Sequence, residues 1–182
     1  MNIKEDRELI KLFHQGKNQE YVFRLITDAY KEKLYRHIRS ILLDHYDTDD
    51  VLQNTFLKAW QGLSKFREDS GLYTWLYRIA TNETLTFLRN KKRHFLVSLT
   101  KIETRMADKL ADDEYFNGDA LQLKLQKAVL SLPEKQRIIF TMKYFNEMKY
   151  DEISAILNIS VGALKASYHH AVKKIEKYIN SD

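Results

Sequence analysis

YDEISAILNISVGALKASYHHAVKKI, residues 150–175, is the stretch whose reading decides the fold. Ile153, Ile156 and Leu157 give a short helix its buried face, and small Ser154 and Ala155 permit a close crossing. Asn158 follows, a residue that tolerates the left-handed conformation that ends helices. Ile159 is placed to plug the angle. Ser160 then caps a second helix from Val161 to about Lys177, with Val161, Leu164, Ala171, Val172 and Ile175 inward. Helix, tight turn, helix is the arrangement that seats its second helix in a DNA major groove. The groove-facing candidates are Ser160, Gly162, Ala163, Lys165, Ala166, His169, His170 and Lys173. Lysines there neutralise phosphates, while small residues let the helix approach base edges. A plain corner between two helices of a bundle gives the same local pattern. His169 and His170 are adjacent, so they point about 100° apart and make a poor metal pair.

Outward from that stretch the pattern stays helical. Five glycines and one proline in 182 residues are too few for a turn-rich β fold. Pro133 is acceptable in the first turn of a helix that Ile138, Ile139, Met142 and Phe145 continue. In the first half, Val51, Leu52, Thr55, Phe56, Ala59, Trp60 and Leu63 form one helical face, with Asp47 as its N-cap and Asp49 and Asp50 in the first turn. A polar connection between Gly62 and Gly71 leads to a second helix, with Leu72, Trp75, Leu76, Ile79, Ala80 and Phe87 on its buried side. Residues around 5–14, 20–29 and 31–43 read as further amphipathic helices. From Glu103 to Asp119 six acids stand against two bases, which reads as an acidic linker. The fold expected is all-α: a helical domain at 1–95, a linker at 96–118 and a second helical domain at 119–182.

Charge and chemistry narrow the function. The formal net charge is +5 and the isoelectric point about 9.2, which permits a polyanionic partner without demanding one. No cysteine is present, so disulfides and thiolate metal sites are excluded. The N-terminus carries charges where a signal peptide needs an apolar core, and no stretch approaches the roughly 18 apolar residues that span a bilayer. A cytoplasmic protein without direct membrane insertion is expected. The glycines at 16, 62, 71, 118 and 162 form no phosphate loop, and there is no His-Glu-x-x-His motif. Arg89, Lys91, Lys92 and Arg93 end the helix that begins near Leu72, with Lys65 and Arg67 in the loop before it. Cations track a phosphate backbone, and exposed rings stack on unpaired bases at roughly 1–3 kcal/mol each. The helical stripe puts Trp75 and most neighbouring rings in the core. Phe66 and Tyr73, near the loop, are the expected exceptions.

Four marks in this order resemble the extracytoplasmic-function group of sigma factors, the two-domain sigma subunits of bacterial RNA polymerase. They are Asp47 to Trp60; Phe66 to Ser70 with Thr74 to Ala80 and Asn82; Leu132-Pro133 with Gln136-Arg137; and Asp151 to Ile175. The resemblance implies a sigma factor that directs promoter-specific initiation and assists DNA melting, with no catalytic residue, cofactor or metal of its own. It implies core-polymerase docking by Asp49, Asp50, Gln53, Asn54, Leu57 and Trp60. It implies −10 element binding by Lys65, Phe66, Arg67, Ser70, Tyr73, Asn82 and the bases Arg89, Lys91, Lys92 and Arg93. The second helix of the C-terminal pair would read the −35 element, and the acidic linker would run toward the RNA exit path. Implied partners are core RNA polymerase and promoter DNA, and the family admits an anti-sigma protein as a third. Asn54 stands where an acid is common in the family, Ser154 where alanine is, Asn158 where glycine is, and Ser167 where arginine is. A free-standing helix-turn-helix regulator is the rival reading, and a purely protein-binding helical adaptor a third. Neither needs the docking helix together with the DNA-reading one.

Overall fold

The computed structural model describes residues 3–16, 18–95 and 120–181, so the linker expected at 96–118 lies outside the described residues. Among them the chain forms α1 (Ile3–His14), α2 (Gln19–Leu42), α3 (His45–Leu63), α4 (Leu72–Phe95), α5 (Ala120–Leu130), α6 (Glu134–Tyr144), α7 (Tyr150–Leu157) and α8 (Val161–Asn180). The described residues contain no strand.

The first correction concerns α2. The two helices expected at 20–29 and 31–43 are one. Ile26, Tyr30 and Leu34 are buried at four-residue steps straight across the expected break, and no glycine or proline interrupts the span. The helix ends at Leu43, whose φ of 58° is left-handed and whose N–H reaches the Arg39 carbonyl at 2.9 Å. That conformation costs a leucine about 1–2 kcal/mol. Burying its side chain, only 6% exposed, offsets a cost of that size.

A second correction follows at once. The N-cap of α3 is Asp44, not Asp47: the Asp44 carboxylate accepts from the Asp47 N–H at 3.0 Å, which puts Asp47 in the first turn. Both aspartates suit a cap by residue type, and the left-handed turn at Leu43 decides between them by starting the helix early. Helices α2, α3 and α4 then pack together, with α1 laid across them. Tyr30 Oη donates to the buried Asp6 carboxylate at 2.7 Å, tying α1 to α2. Gly62 lets α4 come close, since a Cβ there would lie 3.0 Å from the Trp75 ring.

The second half has a small core of its own, made of Ala128, Val129, Leu132, Phe140, Ala171 and Ile175. Its other apolar side chains, including Ile138, Ile139, Met142, Ile153 and Ile156, join the same buried cluster as α1–α4. Helix α6 packs on α2 and α7 on α4. The two halves therefore share a core.

At the seam lies His37, 1% exposed. After α6 the chain reverses through Glu147, whose φ is +53°, and this turn presents Asn146 to the imidazole. The Asn146 amide donates to His37 Nδ1 at 2.8 Å. The ring proton then sits on Nε2 and is donated to Thr81 Oγ1 at 2.9 Å, while that hydroxyl donates to the Tyr77 carbonyl at 2.7 Å. Every ring nitrogen is satisfied in the neutral form, and burial holds the pKa at about 4, below the ordinary 6.5.

The unfolded chain takes up this proton near pH 6.5 and the folded chain only near pH 4. The stability of the neutral state is therefore complete above about pH 6.5 and is lost as pH falls toward 4. Urea unfolding at pH 7 and pH 5 should differ by about 2 kcal/mol through this residue. A His37→Gln variant should lose that part of the slope; an unchanged slope would remove His37 as its source.

Candidate nucleic-acid interface

Three exposed faces carry the residues singled out by the sequence. The first is on α8. Asn158, at φ 55°, closes α7 with its N–H on the Ser154 carbonyl at 2.9 Å. Ile159 is half-buried in the angle, and Ser160 caps α8 by accepting from the Ala163 N–H at 3.4 Å. The turn is built as its residue types imply. Leu164, Ala171 and Ile175 face inward. Ser160, Gly162, Ala163, Lys165, Ala166, His169, His170 and Lys173 are all exposed. A Cβ on Gly162 would meet nothing within 4 Å, so among the described residues this position is open. Lys165 Nζ stands 5.8 Å above the Tyr150 ring, a cation–π contact that holds the ammonium near the N-terminal end of α8. Lys174 and Lys177 are also exposed on α8 and extend its basic character beyond the residues expected.

The second face is on α3. Asp50, Gln53, Asn54, Leu57 and Trp60 are exposed at spacings of three and four, which makes one stripe. Leu57 is 55% exposed and so is no part of the core. Trp60 is held edge-on by Phe13 at 5.7 Å and Phe23 at 5.1 Å, leaving a fixed apolar ring at the end of the stripe. Asp49 is half-buried, with its carboxylate 3.5 Å from His45 Nε2, and stands at the edge of this surface.

The third face runs along α4 and the loop before it. Lys65 and Arg67 are exposed and Ser70 is half-buried. Phe66 corrects the expectation of an exposed ring: it is 7% exposed and packs on Trp75 with ring centroids 4.9 Å apart. The reason is the close approach of α3 and α4, which leaves a slot under the loop that only an apolar side chain fills. Tyr73 is half-buried, its ring tilted against Tyr77 with centroids 4.3 Å apart, and burial raises its pKa. Asn82 is exposed and lines a cleft of about 280 Å³ between α4 and the second half of the chain. Arg89 faces the Glu134 carboxylate at 4.0 Å, and Lys91 is paired with Asp47. The side chains of Lys92 and Arg93 lie outside the described residues.

Arg78 is a residue whose contact the sequence did not disclose. It is exposed, yet its guanidinium donates to the Ala155 carbonyl in the last turn of α7 at 2.6 Å. Its place four residues before Asn82 puts both on one face of α4, which was legible. Its partner 77 positions away was not.

Among the described residues no three His, Asp or Glu side chains gather as a metal site, and no helix is long and apolar enough to cross a membrane. The described residues carry a helix-turn-helix at one end and an amide- and cation-bearing helix at the other.

Comparison with known proteins agrees. The sigma-70 region 2 family matches residues 26–94, and the sigma-70 region 4 family matches residues 122–175. The ECF RNA polymerase sigma factor SigW of Bacillus subtilis is 30% identical over 171 residues, covering 90% of this chain and 91% of SigW. The ECF sigma-E factor of Escherichia coli is 30% identical over 182 residues, covering 96% and 94% of the two chains. Among solved structures, CnrH in complex with the cytosolic domain of CnrY matches with a TM-score of 0.70 at 23% identity, over 97% of this chain and 98% of that one. RpoE of Bartonella quintana, in complex with the anti-sigma factor NepR, matches with a TM-score of 0.64 at 20% identity, over 88% and 98%. The two structural neighbours share the fold, and the two near-full-length relatives with the sigma-70 region 2 and region 4 matches place this chain in the ECF group of RNA polymerase sigma factors.

Proposed function

We propose that this chain joins core RNA polymerase and directs it to promoters, reading the −35 element as duplex with α8 and the −10 element as unpaired strand with α4 and the loop before it. The observation that carries this reading is the coexistence of two exposed faces. The open groove face of α8 suits DNA, and the Asp50–Trp60 stripe of α3 suits a protein partner. A regulator acting without polymerase has no use for the second. Residues 1–95 would supply docking and −10 recognition, 119–182 would supply −35 recognition, and 96–118 would connect them.

The roles follow from chemistry. Asp50, Gln53 and Asn54 offer carboxylate and amide groups to basic residues of a partner, around the apolar anchors Leu57 and Trp60. The Asn82 amide can hydrogen-bond a base edge that a duplex would hide. Lys165 and Lys173 neutralise phosphates, while Gly162, Ala163 and Ala166 leave room for base edges. The chemistry of RNA synthesis belongs to the polymerase, so we assign this chain no catalytic residue and a cytoplasmic site of action. The NepR complex of the Bartonella quintana relative supports an anti-sigma protein as a further partner.

The deciding experiment combines purified chain, sigma-free core polymerase from the same source and fragmented genomic DNA, and maps transcript 5′ ends. Chain-dependent starts that share a −35/−10 pair at fixed spacing are expected. Their absence, with the core active under another sigma factor, would favour the free-standing regulator.

Three substitutions dissect the faces. Leu57→Asp should weaken polymerase binding about tenfold or more while circular dichroism stays native, because Leu57 is on the surface. Lys165→Glu should weaken promoter binding and reduce the slope of log K against log salt by about one; an unchanged slope would remove Lys165 from the interface. Asn82→Ala should leave polymerase binding intact and impair opening, read as lost permanganate reactivity of thymines near −10.

A further inference from the structure

Asp6 is the acid of α1 that turns inward: it is 7% exposed, while Glu5 and Glu8 on the same helix face solvent. Its carboxylate has a single partner among the described residues. Oδ2 accepts from Tyr30 Oη at 2.7 Å, and Oδ1 is buried with none. A half-satisfied buried carboxylate is a costly way to join two helices. Apolar side chains at positions 6 and 30 would hold α1 on α2 with no ion to desolvate, and removing both partners of such a bond together is close to neutral or stabilising. Stability therefore does not explain the bond.

What lies behind the bond is the start of α4. Lys33 follows Tyr30 by three residues on α2, with its ammonium 5.8 Å over the Tyr30 ring. The Lys33 carbonyl accepts from Tyr77 Oη at 3.4 Å, so buried Tyr77 meets α2 one turn from Tyr30. Tyr73 leans on Tyr77 with ring centroids 4.3 Å apart. Burial first, then Asp6, then the neighbouring Tyr73 and Tyr77 hydroxyls push the Tyr30 pKa up, which puts the three phenols in one cluster. Tyr73 stands in the first turn of α4, two residues after Gly71, and so beside the loop that carries Lys65, Arg67 and Ser70.

We infer that Asp6 is a positioning residue for capture of the unpaired −10 strand: by fixing Tyr30 Oη it sets where the Tyr77–Tyr73 pair rests on α2, and so the angle at which α4 leaves the strand-reading loop. This rests on the sigma reading above. Without the acid, the Tyr30 hydroxyl is a buried donor that must find another acceptor, and Tyr77 Oη in the same cluster offers one. The 3.4 Å bond of Tyr77 to α2 is long, so that ring is easily displaced once Tyr30 turns toward it. A positioning role and a purely structural one make opposite demands on a variant that lacks the whole bond.

The test uses the full chain with Asp6→Leu and Tyr30→Phe together, bound to core polymerase, and a fluorescent single-stranded DNA carrying the −10 sequence of a mapped start site. The urea midpoint of the double variant should equal or exceed that of the wild type, and its affinities for core polymerase and for −35 duplex should be unchanged. Strand affinity should fall about tenfold, the size of one base–ring stack. Asp6→Asn, whose amide oxygen still accepts from Tyr30 Oη, should capture strand as the wild type does. Undiminished strand capture by the double variant would overturn the inference. So would a midpoint and all three affinities that fall together, the mark of a bond that only holds the fold, or an Asp6→Asn chain as impaired as the double variant. A wild-type complex that captures no strand, with the core active under another sigma factor, would instead count against the sigma reading itself.

Discussion

Neutral His37, closed in between α2, α4 and the turn after α6, is the contact on which the arrangement of the two halves depends. Its ring is completely enclosed, and each nitrogen has one partner of the right polarity. A buried imidazole that lost either partner would leave an unsatisfied group in an apolar seam, at a cost of about 1–3 kcal/mol. The network therefore fixes the rotation of α6 relative to α2, and through α6 the positions of α7 and α8. The apolar side chains of Ile138, Ile139, Met142, Ile153 and Ile156 supply the attraction between the halves, which has no direction of its own. The hydrogen bonds select one geometry from the many that would bury the same area.

Charge is distributed along the chain in a way that complements this seam. On the first half, cations of α3 and α4 meet the chain's own acids: Lys58 with Glu83 at 2.5 Å, Lys91 with Asp47, Arg89 with Glu134 at 4.0 Å. On α8, the acid within the helix is Glu176, three residues after Lys173, so Lys165 stands on a face without a carboxylate of its own helix beside it. Of these pairs, the longest and most exposed, Arg89 with Glu134, is worth about 0–1 kcal/mol. The cationic faces of α4 and α8 thus differ in the acids that stand beside them.

Legibility in the sequence followed the range of the interaction. The turn of the helix-turn-helix was readable because Asn158 and Ser160 act on backbone groups within four residues. The α3 stripe was readable because helical spacing alone puts Gln53, Leu57 and Trp60 together. Asp47 was mistaken for the cap because Asp44 is an equal candidate by type, and only the left-handed Leu43 separates them. Phe66 was mistaken for an exposed ring because its burial depends on Trp75, carried by the next helix. The single long α2 was hidden by a polar run that proved to be no more than its exposed face.

By itself, the sequence determined the all-helical class, the capping chemistry of the turn between α7 and α8, the order of two sigma regions and the residue types on the α3 and α8 surfaces. These depend on local hydrogen bonds and on a 3.6-residue period, which neighbouring residues specify. Only the tertiary structure decided which face of α4 meets α7, which face of α8 stays exposed, and that the two halves close on one another. Those outcomes turn on His37 with Asn146, 109 positions apart, and on Arg78 with Ala155, 77 apart. Contacts at such separation leave no periodic trace in the chain, because what they require is complementarity between surfaces rather than any pattern within one.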